Sequence, residues 1–171
     1  MKMTDGEKKQ LFDTISMVNE LKNYLNSSSI NQTDDIGQIF KYLNGIKDIQ
    51  GNFNHSISYV SCLLAKEYLQ ENYGINNMDV SIKPQGANGL DFDEKLNNGK
   101  RIIGEIKTIK PYGENDFGAQ QKREFREDFR KLNETSADYK ILFVTEPKSF
   151  QILNEKYLKE LNNVKIVLLV K

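Results

Sequence analysis

The sequence predicts a mixed α/β protein in which helices cover both faces of a central sheet, with a helical extension at the N-terminus. Two observations support this fold class. In the second half, strand and helix patterns alternate, and the two late strands at 140–145 and 164–170 are unbroken apolar runs beside helices. Strands of this kind are usually buried on both faces of a sheet. The first half instead repeats apolar residues at helical spacing.

The N-terminal segment predicts two helices. The first covers residues 5–26, and the second covers residues 34–44 with Thr33 or Asp34 as its cap. Residues 44–54 predict a loop or a ragged helix. The second helix is expected to face inward through its apolar side chains, which are Ile36, Phe40 and Leu43. We expect residues 1–50 to form an N-terminal helical extension and residues 51–171 to form the core domain.

The remaining elements follow in the order α-β-β-β-α-β-α-β. They are a helix at 54–73, strands at 80–83, 90–96 and 101–109, a helix at 117–133, a strand at 140–145, a helix at 147–161 and a strand at 164–170. The turn sequence Asn97-Asn98-Gly99 between the second and third strands is typical of a hairpin. These elements predict a strand meander followed by helix-linked strands.

Composition narrows the class of protein. The chain has 171 residues, of which 38% are hydrophobic and 28% charged, as in a soluble globular protein of one domain with or without an appendage. It shows neither a signal-like apolar core nor a membrane-spanning apolar run, so we expect a cytoplasmic protein without membrane contact. The single cysteine excludes an internal disulfide and a cysteine-based zinc site. We expect no organic cofactor.

The predicted hairpin carries the candidate chemistry. Asp91 opens one strand, while Glu105 and Lys107 share a face of the next strand because strand side chains alternate. Carboxylates bind Mg²⁺ through oxygen, and a lysine can steady a water or a phosphate charge. Asp93 shares the face of Asp91 and is either a second ligand or a bystander. The alternative is a surface strand with a solvated Glu–Lys pair.

The pattern Gly-Leu-Asp91 followed by Glu105-Ile106-Lys107 resembles the active-site motif of the PD-(D/E)xK nuclease superfamily, which includes many type II restriction endonucleases. Leu90 stands where the family has proline. The order of elements over residues 55–145 is similar to the family core. The resemblance implies a restriction-endonuclease-like fold, with Mg²⁺ held by Asp91, Glu105 and the backbone carbonyl of Ile106. It also implies that Lys107 acts on the attacking water.

Two further positions are candidates for the active site. Glu67 lies on the helix before the meander, where many family members place a glutamate facing the metal; the alternative is a solvent-facing glutamate. Gln121 lies on the sheet-facing side of its helix, where glutamine is unusual unless it meets a polar site. The alternative for Gln121 is a satisfied or peripheral amide.

The net charge of the chain is zero. This weakens the prediction that the protein binds nucleic acid, because phosphate binding usually needs a basic surface. Basic residues do cluster in and after the hairpin. The candidates for phosphate contact are Lys110, Lys122, Arg123 and Arg126. For each of these the alternative is a solvated helix or loop surface.

Taken together, these patterns predict a magnesium-dependent endonuclease that hydrolyses phosphodiester bonds in double-stranded DNA, of the type II restriction class. Cleavage of both strands favours a homodimer, joined through residues 5–50. Two alternatives remain open. One is a catalytically inactive domain of the same fold that binds nucleic acid or protein, and the other is a nuclease for branched, damaged or modified DNA.

Overall fold

The computed structural model describes residues 1–31, 33–82 and 89–170. These residues divide into two compact units, Met3–Ile57 and a larger unit made of Met1–Lys2 with Ser58–Lys171. None of the helices found in the described ranges is long and apolar enough to cross a lipid bilayer. The candidate site lies entirely in the larger unit.

The smaller unit contains helices α1 (Asp5–Ser27) and α2 (Ile36–Gln50) and the start of α3 (Phe53–Tyr73). Asp35 is the N-cap of α2, whereas Thr33 or Asp34 was expected. Its carboxylate accepts a hydrogen bond from the backbone N–H of Gln38, whose side chain in turn accepts from the N–H of Asp35. This reciprocal capping box satisfies two helix-end donors and explains why the helix starts at Ile36.

Helix α2 continues to Gln50, through much of the segment expected to be a loop or ragged helix. Gly45 suggested a break, because glycine is unfavourable in a helix interior. The structure gives this glycine a packing role, since a Cβ at this position would collide with the ring of Tyr24 in α1. The hydroxyl of Tyr24 also donates to the backbone carbonyl of Tyr42, 3.2 Å away. Tertiary contact therefore overrides the local propensity.

The apolar face of α2 does not point inward as expected. The side chains of this helix are among the most exposed large hydrophobic groups of the chain, at Ile36, Phe40 and Leu43. Helix α1 shows the same feature at Phe12, Ile15, Val18 and Leu25. Periodicity identified both helices but not what covers their apolar faces.

The larger unit is built on a four-stranded mixed sheet in the order β1-β2-β3-β4. Its strands are β1 (Phe92–Lys95), β2 (Arg101–Lys107), β3 (Tyr139–Val144) and β4 (Val164–Leu168). The β1/β2 pair is antiparallel, whereas β2/β3 and β3/β4 are parallel. Parallel neighbours need crossover connections. These are made by α4 (Ala119–Glu134) and by a helical segment that begins with α5 (Pro147–Ile152).

The helical segment after β3 keeps its predicted length but not a single geometry. After α5 it becomes a π-helix over Leu153–Tyr157 and then a 3₁₀-helix over Leu158–Glu160. Sequence periodicity does not separate these geometries over such short stretches.

The expected strand at 80–83 is not found in its described part. Val80 and Ser81 form a turn, and Lys83 lies outside the described residues. The carboxylate of Asp79 accepts hydrogen bonds from the backbone N–H and the hydroxyl of Ser81, at 2.9 and 2.6 Å. An aspartate that bonds the backbone two residues ahead stabilises a turn instead of an extended strand.

Helices cover both faces of the sheet, as the apolar strands predicted. On one face, α4 and the α5 segment pack on the sheet through a core that includes Ile103, Phe125 and Leu142. On the other face, α3 contributes Ala65 and Leu69 to a second core. This core contains the strand residues whose side chains point away from the first core, such as Ile102 and Ile141. The two faces are called below the α4 face and the α3 face.

Candidate active site

The hairpin places Asp91 beside Glu105. The last pair of the β1/β2 ladder is Phe92 opposite Gly104, so Asp91 stands opposite Glu105 one position further along. Residues directly opposite in an antiparallel pair share a face. The carboxylate of Asp91 accepts a hydrogen bond from the backbone N–H of Ile106, at 2.7 Å, which fixes it beyond the end of β1. Both acids therefore lie on the α4 face.

Glu105 is the buried member of this pair, with 3% of its surface exposed. Burial raises its pKa to about 8, and the neighbouring carboxylates of Asp91 and Asp128 act in the same direction. Lys131 opposes the rise. A carboxyl with this pKa holds a proton at neutral pH, which lowers the repulsion from Asp91.

Helix α4 brings two further charged groups over β2. Lys131 Nζ lies 3.3 Å from Glu105 Oε1 and 3.2 Å from Asp128 Oδ1. Burial acts to lower the pKa of Lys131, but the carboxylates of Glu105 and Asp128 outweigh it, so its pKa lies above the usual value. Lys131 is therefore charged and shared between two carboxylates.

Lys107 completes the group through Asp128. Its ammonium lies 2.5 Å from Asp128 Oδ2. Among the residues described, this buried oxygen accepts no hydrogen bond of acceptable geometry, so the contact is an ion pair with poor angles. Acidic and basic side chains therefore alternate in a continuous series, which we call the charge chain, in the order Glu105, Lys131, Asp128 and Lys107.

Within the described residues, the contacts of Asp93 are with Arg101 and not with the residues of the charge chain. Both its carboxylate oxygens accept from the guanidinium of Arg101, at 2.8 and 2.6 Å, and about half of its side chain is exposed. The contacts of Asp93 therefore differ from those of the carboxylate pair, and whether it is a second ligand or a bystander stays a prediction.

Gln121 is buried, but its amide binds backbone groups. Its carbonyl oxygen accepts from the N–H groups of Gly118 and Tyr112, and its NH₂ group donates to the carbonyl of Lys110 at 2.8 Å. These bonds tie the segment before α4 to the first turn of the helix. This is the satisfied amide of the two alternatives, and a catalytic role for Gln121 stays a prediction.

Glu67 is not brought to the carboxylate pair. It lies on α3, whose buried residues pack on the opposite face of the sheet, and its side chain is 45% exposed. Its carboxylate lies 3.8 Å from the N-terminal ammonium of Met1. A catalytic role for Glu67 has no support in these contacts.

Two of the four basic residues proposed to contact phosphate are already paired with acidic residues of the chain. Lys122 Nζ lies 2.7 Å from Asp116, and Arg126 Nε lies 3.4 Å from Glu160. Lys110 and Arg123 are exposed, and no ion pair involves either of them in the part of the chain that the structure describes. Arg123 and Arg126 line one surface groove on the outer side of α4 together with Arg130.

Asp128 was missed from the sequence, and Lys131 was not singled out among the basic residues after the hairpin. A signal for Asp128 was present. Gln121, Phe125, Asp128 and Leu132 lie at helical spacings of four, three and four, and all are buried. A carboxylate within an apolar stripe needs a cationic partner, because burying an unpaired charge is costly.

The acids of this site offer hard oxygen ligands. Within the ranges described, no three or more His, Cys, Asp or Glu side chains are grouped so that they could hold a metal ion. Asp91 and Glu105 are adjacent carboxylates, however, and Mg²⁺ is commonly held by one or two carboxylates and several waters. No family model matches the chain, and no curated protein and no solved structure is significantly similar to it.

Proposed function

We propose that this chain is a Mg²⁺-dependent endonuclease that hydrolyses phosphodiester bonds in double-stranded DNA, with a restriction-endonuclease-like fold of the PD-(D/E)xK superfamily. The observation that carries the proposal is the pairing of Asp91 with Glu105 at the end of one hairpin, with Lys107 on the same strand face. Structural ion pairs rarely require two adjacent carboxylates, because their repulsion is unfavourable.

The order of elements supports the proposed fold in part. The chain runs from helix α3 into the β1/β2 hairpin, then through helix α4 into β3. Strand β3 is parallel to β2. The family meander has one more strand before the hairpin. Residues 80–82 do not form it, and residues 83–88 lie outside the described part of the chain.

The residues present fit a divalent cation. The group contains three carboxylates (Asp91, which is exposed, with the buried Glu105 and Asp128) and two ammonium groups (Lys107 and Lys131), so full ionisation leaves one net negative charge. Burial is the main cause of the raised pKa of Glu105, and the carboxylates of Asp91 and Asp128 add to it. A bound cation would take the place of the proton. In an extended strand the N–H and C=O of one residue point to the same side. The carbonyl of Ile106 therefore faces the side of Asp91, where its N–H already binds.

The roles follow from these placements. Asp91, Glu105 and the carbonyl of Ile106 would hold Mg²⁺, which when bound supplies Lewis-acid activation of water and neutralises phosphate charge. Lys107 would orient the water or the phosphate oxygen. Its ammonium must first exchange Asp128 for the substrate.

The test is cleavage of plasmid DNA with and without Mg²⁺ by the wild-type chain and by Lys107→Ala. We expect cleavage that requires Mg²⁺ and is lost in the variant. Lys95→Ala is the matched control, because Lys95 is an exposed lysine at the far end of the same hairpin. Discrete bands indicate a sequence-specific enzyme, whereas a preference for branched or damaged DNA indicates the structure-specific class. Activity that survives in Lys107→Ala would disprove the assignment.

A second candidate is an inactive binding domain of the same fold. The observation that favours it is the charge chain itself, in which each ammonium already has a carboxylate partner. The same domain would then use these groups as a structural network. Binding of DNA without cleavage, in Mg²⁺ and in Mn²⁺, on plasmid, branched and damaged substrates, is the result that favours this alternative.

The homodimer proposed for double-strand cleavage would use the exposed apolar faces of α1 and α2. Their exposure is compatible with an interface but does not identify the partner. Sedimentation of the protein with and without DNA tests it, and a monomer under both conditions contradicts it.

A further inference from the structure

The contacts of Lys131 have a consequence for the proposed metal site. Glu105 is 3% exposed, so nearly all access to its carboxylate is controlled by the groups around it. Lys131 Nζ lies 3.3 Å from Glu105 Oε1, while its own side chain is 36% exposed. An ammonium at this distance occupies part of the space and supplies part of the charge that a divalent cation would supply.

Lys131 also lies on the solvent side of the charge chain. It lines a groove of about 490 Å³ whose other charged residues are Asp93, Arg101, Arg130 and Glu134. The other three members of the chain do not line this groove. An ion that enters from the groove therefore meets the ammonium of Lys131 before it meets the carboxylate of Glu105.

Asp128 gives Lys131 a second position. Lys131 Nζ is already 3.2 Å from Asp128 Oδ1, so it stays ion-paired if it gives up Glu105. The exchange costs less than moving an ammonium from a carboxylate into an unpaired position. Lys131 is therefore bound strongly enough to hold Glu105 and has a low-cost way to leave it.

We propose that Lys131 is the resident cation of the Asp91–Glu105 site: its ammonium occupies the position beside the Glu105 carboxyl group, competes with a divalent cation for that group, and so sets the concentration at which the cation binds. The proposal rests on the metal site of the proposed function. Lys131 is a positioning residue here, because it acts on the site through Glu105 and through no contact with substrate.

The experiment is a calorimetric titration of the full chain with Mn²⁺, an ion that accepts the same oxygen ligands as Mg²⁺. We expect Lys131→Gln to bind Mn²⁺ about three- to tenfold more tightly than wild type, the size expected for removing one nearby positive charge. Lys131→Arg keeps the charge and should bind within about twofold of wild type.

The matched control is Arg130→Gln, which removes a charge one residue away. Arg130 is exposed and paired with Glu134, so its loss should change Mn²⁺ affinity by less than about twofold. Thermal unfolding of each variant without metal shows whether the fold is intact. If Lys131→Gln unfolds, Lys131→Met provides the same charge removal with a side chain suited to a partly buried position.

The outcomes separate this inference from the proposed function. If wild type binds Mn²⁺ and Lys131→Gln binds equally or more weakly, Lys131 does not compete, and only the inference fails. The same holds if Arg130→Gln tightens binding as much as Lys131→Gln. If neither wild type nor Lys131→Gln binds Mn²⁺, both the metal site and the inference fail. Binding gained only in Lys131→Gln supports the inference strongly.

Discussion

Strand β2 has two faces of opposite chemistry. On the α3 face, Ile102 is fully buried and Gly104 lies against the ring of Phe92 in a purely apolar contact. On the α4 face, Glu105 and Lys107 follow the equally buried Ile103 and meet charged groups from α4. The α3 face contributes stability through apolar burial, whereas the α4 face carries a desolvation cost that a purely structural sheet would avoid. This difference is what the proposed active site would require.

The largest expected effect is a loss of cleavage activity, and it tests whether the charged residues of the α4 face are functional. Glu105→Gln should lower DNA cleavage roughly a hundredfold or more, because it removes a carboxylate proposed to hold the Mg²⁺ ion on which the reaction depends. Glu94→Gln is the matched control, since Glu94 stands opposite Ile102 on the α3 face of the neighbouring strand. Single-turnover cleavage rates at saturating Mg²⁺ measure both. If both variants lost the same fraction of the cleavage rate, the α4 face would have no special role in activity.

The next effect is on stability and tests the α3 face. Gly104→Ala should destabilise the fold by about 1–3 kcal/mol, because the new methyl group would overlap the Phe92 ring and the backbone carbonyl of Ile141. The contact with a backbone atom cannot be relieved by a side-chain rotation. Denaturant unfolding gives the change in free energy. A variant as stable as wild type would show that the α3 face is not tightly packed at this point.

A third prediction concerns pH. The pKa of Glu105 is about 8 in the fold against 4.5 as the ordinary value, so the folded state keeps a proton that the unfolded chain releases. The free energy of unfolding should therefore fall as pH rises from about 4.5 to 8, and this fall should be smaller in Glu105→Gln. Denaturant unfolding at pH 5, 6.5 and 8.5 measures it.

A fourth prediction concerns the effect of Mg²⁺ on thermal stability at two pH values. Binding requires the ionised carboxylate, so the cation should raise the thermal midpoint more at pH 8.5 than at pH 5. Glu105→Gln should lose this difference. A Mg²⁺ shift that is equal at both pH values would mean that the ion binds elsewhere.

The smallest effect is expected at Asp93. Asp93→Asn should change stability by less than about 1 kcal/mol, because its bidentate pair with Arg101 is about half exposed on both sides. It should leave Mg²⁺ affinity unchanged if Asp93 is a bystander. A loss of affinity similar to that of an Asp91→Asn variant would make Asp93 a ligand.

Much of the fold was accessible from local patterns. Helices α1, α3 and α4 and strands β1 to β4 lie within a few residues of their predicted positions, because the periods of 3.6 and 2 are properties of the backbone. The errors have local or tertiary causes. Asp79 turns the chain where a strand was expected. Gly45 lies inside a helix that was expected to end, because its missing side chain leaves room for the ring of Tyr24.

The sequence by itself determined that Asp91, Glu105 and Lys107 lie on one face of a hairpin, because side-chain alternation and a short turn fix that relation within 17 residues. Only the tertiary structure decided that this face is covered by α4, and that Asp128 and Lys131 neutralise its charges. Which turn of a helix lies over which strand residue depends on packing between segments distant in the chain. The raised pKa of Glu105 follows from that burial, and not from any local motif.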